Sequence, residues 1–147
     1  MVLQQTKSCI LRVLRNDGGH GSGFIIQPGY LITNKHVVEP DPGQTVVLTV
    51  ETYDGKSYSA NVVGVSSSLD LAVVKITPES SLTVLTFGDS DRVRLSEEVV
   101  AIGSPGGLKF SITKGIVSRF TAAQDGVTFI QIDAPINPGN SGGPLIN

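Results

Sequence analysis

The sequence predicts an all-β protein, either a sandwich or a barrel. Short runs rich in Val, Ile and Thr recur along its 147 residues, and each run is bounded by turn residues. The 17 glycines and 8 prolines supply many chain reversals between these runs. No segment shows a long apolar periodicity of 3.6 residues, which would indicate an amphipathic helix. Many short strands with closely spaced turns are typical of sandwiches and barrels.

Ten segments combine β-branched or aromatic residues with flanking turns, and we expect a strand at each. In chain order these segments are residues 8–14, 23–26, 30–34, 45–52, 57–65, 72–76, 98–102, 111–119, 127–133 and 143–146. Two pairs of segments are separated by Asp54-Gly55 and by Asp125-Gly126. Asp-Gly suits the positive φ angles of a tight hairpin turn, so both pairs are predicted to be hairpins.

The connections between strands contain one predicted helical turn and one predicted joint. The helical turn is expected at residues 36–39, because Pro40 and Pro42 follow at once and would end it. The polar, turn-rich segment 77–91 is expected to connect two halves of the chain. The strands before and after this segment would then form separate units.

Composition excludes several classes of function. The net charge of −2 and the 16% charged residues do not predict a nucleic-acid partner or a membrane surface. No apolar stretch approaches the roughly 20 residues of a membrane span, and the first fifteen residues lack a signal-peptide pattern. Cys9 is the single cysteine and is expected to be buried on the first strand. With His20 and His36 it makes no zinc-ligand pattern, so we expect neither a metal nor another cofactor.

The segment Gly139-Asn140-Ser141-Gly142-Gly143 is the strongest candidate for chemistry. A serine hydroxyl is a weak nucleophile at neutral pH and needs a base, which in turn needs an orienting group. Acyl transfer also requires backbone N–H donors near the oxygen that becomes negative. Glycines beside the serine allow the backbone to form such a donor pocket.

His36 and Asp70 are the best candidates for the base and its orienting group. His20 lies in the glycine-rich stretch DGGHGSG and is expected to be a loop residue, whereas His36 lies where a strand ends in YLITNKHVV. The orienting carboxylate should be buried beside a strand, and Asp70 in SSSLDLAVVKI fits this expectation. Asp133 precedes the serine segment and is expected to bond the backbone there, in a structural role.

The order His36, Asp70, Ser141 matches chymotrypsin-like enzymes and not subtilisins or α/β-hydrolases. Residues 139–143 also fit the pattern G-x-S-x-G of the α/β-hydrolase nucleophile elbow. That elbow needs a helix, an acid and a histidine after the serine, and only four residues follow Gly143. The hydrolase interpretation therefore fails.

Several motifs together resemble the HtrA/Deg family of serine proteases, which has the trypsin-like fold. They are GSGFII, YLITNKHVV, DLAVVKI, FGDSDRVRLSEEVVAIGSPGG, SITKGIVS and QIDAPINPGNSGGPLIN, from about residue 21 to residue 147. The resemblance implies two perpendicular antiparallel β-barrels, with residues 1–80 in the first and 81–147 in the second. It also implies that the second barrel lacks its last strands and that the chain is a truncated protease domain without a PDZ domain.

The resemblance implies a role for each candidate residue. His36 would be the general base, Asp70 its orienting partner and Ser141 the nucleophile. The N–H groups of Gly139 and Ser141, on either side of Asn140, would form the oxyanion hole. Digestive trypsin-like enzymes usually carry an aspartate at the Asn140 position, paired with a newly cut N-terminus. A neutral asparagine cannot form that ion pair, so activation by N-terminal cleavage is not expected.

The resemblance also implies where substrate binds. Ile136, Asn137 and Pro138 would lie at the floor of the specificity pocket. Ile136 brings no charge there, so small or medium apolar side chains are expected before the cut bond. The predicted partner is an unfolded or extended polypeptide that pairs as an added strand.

Two functions from different classes remain open at this point. The first is a serine endopeptidase in HtrA/Deg-like protein quality control. The alternative is an inactive or latent peptide-binding, chaperone-like module on the same fold, because the chain looks truncated. The resemblance suggests periplasm, cell envelope or an organelle. Family trimers use aromatic N-terminal segments, and MVLQQTKSC has no aromatic residue. We expect association through exposed strand edges instead.

Overall fold

The chain folds almost entirely as β-structure, which confirms the predicted class. The computed structural model describes residues 8–78, 82–106, 109–122, 126–136 and 139–147. The strands, in chain order, are β1 Ile10–Arg15, β2 His20–Gln27, β3 Tyr30–Asn34, β4 Leu48–Glu51, β5 Ser57–Ser66, β6 Leu71–Ile76, β7 Glu98–Gly106, β8 Lys109–Ala122, β9 Thr128–Ile132 and β10 Leu145–Ile146. One short helix, α1 (Lys35–Val38), follows β3, and a 3₁₀ turn covers Ser90–Arg92.

The first six strands close into a barrel in the order β1-β2-β3-β6-β5-β4. Every pair of neighbours in this barrel is antiparallel. Closure leaves no unpaired strand edge, and the apolar side chains that face inward fill the interior. The buried core of this unit consists of Leu11, Val13, Ile25, Leu31, Val37, Val38, Leu48, Val50, Ala60, Ala72, Val74 and Ile76.

The last four strands form an open antiparallel sheet in the order β10-β7-β8-β9. Residues 145 and 146 of β10 pair with Ala101 and Val100 of β7. Each edge strand, β9 and β10, has a neighbour on one side only within the part of the chain that the structure describes. The four strands predicted after the joint are therefore present, and they form a partial second unit beside the closed barrel.

Hydrogen bonds join the barrel to the sheet and to the connecting segment. Ser22 on β2 accepts a hydrogen bond from the backbone N–H of Ser104 on β7. The Leu85 N–H donates to the carbonyl of Ile25 on β2, at 2.9 Å. The segment between the two units is thus fixed against the barrel, and both β1 and β2 of the barrel contact β7.

The predicted turns are present where the structure describes them. Gly55 has φ +88° in the β4–β5 hairpin and Gly126 has φ +79° before β9, both conformations that glycine adopts readily. Asp125 lies outside the described residues. The predicted helical turn at 36–39 is also present, shifted by one residue to Lys35–Val38.

Several local expectations were wrong, among them those for His20, for residues 45–47 and for residues 143–144, which lie outside β10. His20 is the first residue of β2 and pairs with Leu14, so it is not a loop residue. Glycines on both sides of His20 suggested a turn, but antiparallel pairing with β1 extends the strand through them. Residues 45–47 lie outside any strand, since the antiparallel partners of β4 begin only at Leu48. Cys9 is buried as expected and lies immediately before β1.

Candidate functional site

His36 lies on α1, the single helical turn that follows β3. Val37 and Val38 are each only 3% exposed and anchor this turn in the barrel core. The Arg15 guanidinium donates a hydrogen bond of 2.6 Å to the carbonyl of Glu39, at the end of the turn. With its neighbours held in this way, the His36 side chain is directed outward and is 57% exposed.

Asp70 is brought to His36 by the pairing of β3 with β6. The register places Asn34 opposite Leu71, so the residues that follow Asn34 lie beside the residue that precedes Leu71. Asp70 has a φ of +52°, a left-handed conformation that few residue types other than glycine and Asn/Asp adopt. Its carbonyl accepts hydrogen bonds from Lys35 N–H (3.1 Å) and Asn34 Nδ2 (2.9 Å), which hold this conformation.

The carboxylate of Asp70 binds His36 at two points. Oδ1 accepts the His36 backbone N–H at 2.9 Å, and Oδ2 lies 2.6 Å from His36 Nδ1. An ionised carboxylate only accepts hydrogen bonds, so Nδ1 must carry the proton. In the neutral form of the ring the lone pair is then on Nε2, the nitrogen that can take a proton.

The pKa of Asp70 lies below its ordinary value. Desolvation is the largest single influence and would raise this pKa, but it is outweighed by the hydrogen bonds from the His36 ring and backbone and by the charges of His36 and Lys35. The carboxylate was expected to be buried, and this expectation was wrong, because the Asp70 side chain is 47% exposed. It precedes β6 in a turn at the barrel surface, and its neighbour Leu69 is also exposed.

Ser141 lies at the same end of the barrel as His36. Its carbonyl accepts the Ser22 N–H at 2.8 Å, which ties the serine loop to β2. Gly21, the preceding residue of β2, lies between the two candidate groups. A Cβ atom placed there would lie 2.7 Å from Val37 Cγ1 and 3.0 Å from the Ser141 carbonyl oxygen. Only glycine leaves room for these two segments to converge on β2.

One peptide beside Ser141 has a fixed orientation, which sets the direction of the Ser141 N–H. The Asn140 carbonyl accepts the Gly143 N–H at 2.9 Å. No cis peptide occurs in the described parts of the chain, and in a trans peptide the N–H points opposite to the C=O. The Ser141 N–H therefore points away from Gly143. The Gly139 N–H belongs to the peptide that joins Pro138 to Gly139, and Pro138 lies outside the described residues.

Asn140 is buried, with 7% of its surface exposed. Its Nδ2 and Oδ1 atoms have no hydrogen-bond partner among the described residues. The side chain packs against Gly103 of β7, where a Cβ atom would collide with it. A neutral amide is tolerated in this position far better than an aspartate would be, because an unpaired buried charge is much more costly than an unpaired amide.

The His36 ring and the Ser141 hydroxyl are not hydrogen-bonded to each other in the portion of the chain that is described. Catalytic hydrogen bonds are often long in ligand-free proteins and shorten when substrate binds. Taken together, the region offers an oriented imidazole, a serine hydroxyl and a backbone N–H donor that points away from Gly143. These groups can perform acyl transfer from an amide or an ester.

The predicted pocket residues are only partly described. Ile136 is 58% exposed and uncharged, whereas Asn137 and Pro138 lie outside the described residues. Asp133 does bond the backbone, as expected, but on β8 instead of the serine loop. Its Oδ1 accepts the Ile116 N–H at 2.6 Å, and its own N–H donates to the Ile116 carbonyl.

Two polar residues that were not predicted from the sequence orient the candidate groups. Asn34 donates to the Asp70 carbonyl, and Thr33 donates through Oγ1 to the Ser22 carbonyl at 2.6 Å. Thr33 is fully buried in a strand whose other buried side chain, Leu31, is apolar. A polar residue at a core-facing position of a strand was the available signal.

Neither a membrane helix nor a metal cluster is found in the described part of the chain. None of its helices has the length and apolar character to cross a membrane. Among the same residues, no group of three or more His, Cys, Asp or Glu side chains is arranged to hold a metal ion.

Comparison with known proteins gives a consistent picture. A family model described as "Trypsin-like peptidase domain" matches residues 21–147. A probable periplasmic serine endoprotease DegP-like of Chlamydia trachomatis is 45% identical over 141 residues, which is 92% of this chain and 27% of that protein. A putative serine protease HhoA of Synechocystis is 46% identical over 142 residues, covering 90% of this chain and 35% of that protein.

The fold is also shared with a solved structure. The crystal structure of Deg5 superposes with a TM-score of 0.88 at 32% sequence identity, covering 99% of this chain and 77% of that one. The chain spans about a quarter to a third of the length of the two curated relatives. The closed barrel and the partial second sheet therefore correspond to the trypsin-like architecture.

Proposed function

Since the chain belongs to the trypsin-like peptidase domain family, we propose that it carries the catalytic site of a serine endopeptidase. The observation that supports this most is the two-point bond between Asp70 and His36, at 2.9 Å to the backbone N–H and 2.6 Å to Nδ1. A carboxylate that merely neutralised a surface histidine would not need to bond both the backbone N–H and the ring of that histidine. Two bonds fix both the position and the tautomer of the ring.

The proposed reaction assigns one step to each group. His36 Nε2 takes the hydroxyl proton of Ser141 as Oγ bonds to the substrate carbonyl carbon. The protonated ring then gives this proton to the leaving amine as the C–N bond breaks. Water attacks the resulting acyl-enzyme by the same route and restores Ser141. Asp70 stays ionised and stabilises the imidazolium in both halves.

The proposed oxyanion hole consists of the N–H groups of Gly139 and Ser141, with Asn140 between them. The direction of the Ser141 N–H, opposite to the Asn140 carbonyl, supports its part in this site. Gly139 has φ +100°, a conformation that gives glycine an advantage at this position. Removing one such donor typically costs about 10² to 10³-fold in kcat.

The proposed substrate is an unfolded or extended polypeptide, cut after a small or medium apolar side chain. Ile136, Asn137 and Pro138 are proposed to contact that side chain. Support comes from the uncharged, 58% exposed Ile136 at the start of the serine loop. HtrA/Deg-like quality control is the corresponding role, and the relatives named as a serine endoprotease and a serine protease support its proteolytic part.

We also propose that copies of the chain associate through the second sheet. Its edge strand β9 is unpaired on one side among the described strands. The large apolar side chains exposed on this unit include Ile112, Ile116, Phe120, Phe129 and Leu145. An open edge with exposed apolar residues favours pairing with another chain.

Hydrolysis of an unfolded protein tests the proposed function. The parent chain is expected to degrade reduced, unfolded casein, whereas Ser141→Ala should lose on the order of 10⁶-fold in turnover. His36→Ala should lose nearly as much, because the three groups act as one unit. Near-parental hydrolysis by folded Ser141→Ala would overturn the assignment.

A further inference from the structure

Ser22 is a fully buried polar residue at the junction of three segments. It lies on β2, its exposed fraction is 0%, and it faces both β7 and the serine loop. A buried hydroxyl is costly unless its hydrogen bonds are made. Its partners therefore indicate what this side chain does.

The Ser22 hydroxyl bridges the serine loop and β7. It lies 2.5 Å from the Gly139 carbonyl oxygen and 2.7 Å from the Ser104 nitrogen. A carbonyl only accepts and an N–H only donates, so the hydroxyl proton must point to Gly139. The same oxygen then accepts the Ser104 N–H, and one donor and one acceptor of the hydroxyl are both used.

The Ser22 backbone adds a second connection to the same loop. Its N–H donates to the Ser141 carbonyl at 2.8 Å. Its own carbonyl accepts the Thr33 hydroxyl at 2.6 Å, and Thr33 is likewise fully buried. Ser22 is therefore itself held in place by β3 while it holds residues 139 and 141.

These bonds fix three consecutive peptide planes. The Ser22 hydroxyl orients the peptide between Gly139 and Asn140, and the Ser22 N–H orients the peptide between Ser141 and Gly142. The peptide between them is held by the Gly143 N–H and carries the Ser141 N–H. If the peptide between Gly139 and Asn140 turned, the peptide between Asn140 and Ser141 could turn with it. The Ser141 N–H would then change direction.

We propose that Ser22 is a positioning residue for the catalytic loop and that its hydroxyl sets the direction of the Ser141 N–H and Oγ. The inference deepens the proposed function and rests on it for the catalytic part. That Ser22 holds the loop in position does not depend on the proposed function. The hydroxyl acts through the backbone of the loop and touches no reacting atom.

Ser22→Ala tests this proposal, with Thr52→Ala as the matched control. Thr52 is also a buried hydroxyl residue, 7% exposed, and its Oγ1 bonds Asp54 and Lys56 in the β4–β5 turn. Both changes remove one buried hydroxyl that has hydrogen-bond partners. Only Ser22→Ala removes hydrogen bonds with residues 104 and 139.

Three measurements separate positioning from a general loss of stability. In Ser22→Ala we expect kcat and the rate of fluorophosphonate labelling to fall by about 10 to 10²-fold, with KM changed less than about twofold, because small misplacements of reacting groups cost rates of this size. Amide hydrogen exchange by NMR should quicken at residues 104 and 139–143. In Thr52→Ala exchange should quicken at residues 52–56, with parental kcat and labelling.

Equal behaviour of Ser22→Ala and Thr52→Ala at residues 139–143 would overturn the proposal. If the parent itself is not labelled, the proposed function fails, and the exchange data alone decide whether Ser22 positions the loop. If Ser22→Ala does not fold, Ser22→Cys replaces it, since a thiol of similar shape donates weakly. Parental labelling and exchange in Ser22→Cys would then contradict the inference.

Discussion

At the scale of single residues, the central feature is how Asp70 is held. Its backbone has φ +52°, and its carbonyl and carboxylate together accept four hydrogen bonds from residues 34–36. The sequence indicated Asp70 because apolar residues surround it. It could not indicate the left-handed backbone or the exposed side chain, since both follow from the turn that β3 and β6 impose together.

Replacing Asp70 with asparagine should uncouple folding from activity. The Asn34 and Lys35 bonds go to the Asp70 carbonyl and are kept, so Asp70→Asn should fold. Its amide can donate to the ring and favour the wrong tautomer, and kcat should fall by about 10⁴-fold. Circular dichroism and peptide hydrolysis measure the two effects. A folded Asp70→Asn protein with kcat within tenfold of the parent would contradict this role.

The same variant tests the pH dependence of stability. Because the pKa of Asp70 is lowered by folding from the ordinary value of 3.8, its contribution is present above that pH and is lost as the pH falls through the folded-state pKa. Urea denaturation between pH 6 and pH 2 should show a steeper acid loss in the parent than in Asp70→Asn. An identical loss of stability with falling pH in the two proteins would show that folding does not change the pKa of Asp70.

Ile136 is the residue on which the specificity prediction depends. Its side chain is uncharged and 58% exposed at the start of the serine loop. Peptide-library profiling should therefore find cuts after Val, Ala, Leu or Ile in preference to Lys, Arg, Asp or Glu. Ile136→Asp should shift the preference toward Lys and Arg by about tenfold, by pairing of opposite charges. Dominant cleavage after Lys or Arg by the parent would contradict the assignment.

At the scale of elements, turn chemistry was the most predictable part of the chain. Gly55 and Gly126 have the positive φ angles that Asp-Gly implied, and α1 ends where two prolines follow. Strand bounds were less predictable, as His20 and residues 45–47 demonstrate, because a strand ends where its partner ends. A single sequence does not state which strands are partners.

Gly142 and Gly126 form a matched pair for testing the serine loop. Both have positive φ, +87° and +79°. A Cβ atom at Gly126 meets nothing within 4 Å, whereas one at Gly142 collides with the Ser22 carbonyl and the Thr33 hydroxyl. We expect Gly126→Ala to lower the free energy of unfolding by roughly 1 kcal/mol and Gly142→Ala by roughly 3 kcal/mol. Urea denaturation measures both, and equal losses would contradict this packing.

At the scale of the whole molecule, the two units differ in how their edges are treated. The first six strands close on themselves, and the remaining sheet is open on both sides within the described strands. The number of strands was predictable from alternation and turns. The strand order was not, because β3-β6 and β1-β4 pair residues that are far apart in the sequence.

The open sheet leads to a prediction about association. Sedimentation velocity should show self-association that increases with concentration. Phe129→Lys should weaken it, because Phe129 lies on edge strand β9 and a lysine on an edge opposes strand pairing. Val63→Lys is the control. Val63 is similarly exposed, but its strand β5 belongs to the closed barrel and has a neighbouring strand on each side. Equal effects of the two lysines on self-association would argue against pairing through the β9 edge.

Fluorophosphonate labelling reports whether Ser141 is activated by His36 and Asp70. Such a probe reacts only with a serine whose base and oxyanion donors are in place. The parent chain should be labelled once, and mass spectrometry of the digested protein should place the adduct on Ser141. His36→Ala should lose the adduct while remaining folded. An unlabelled, folded parent chain, or an adduct that persists in His36→Ala, would contradict the account.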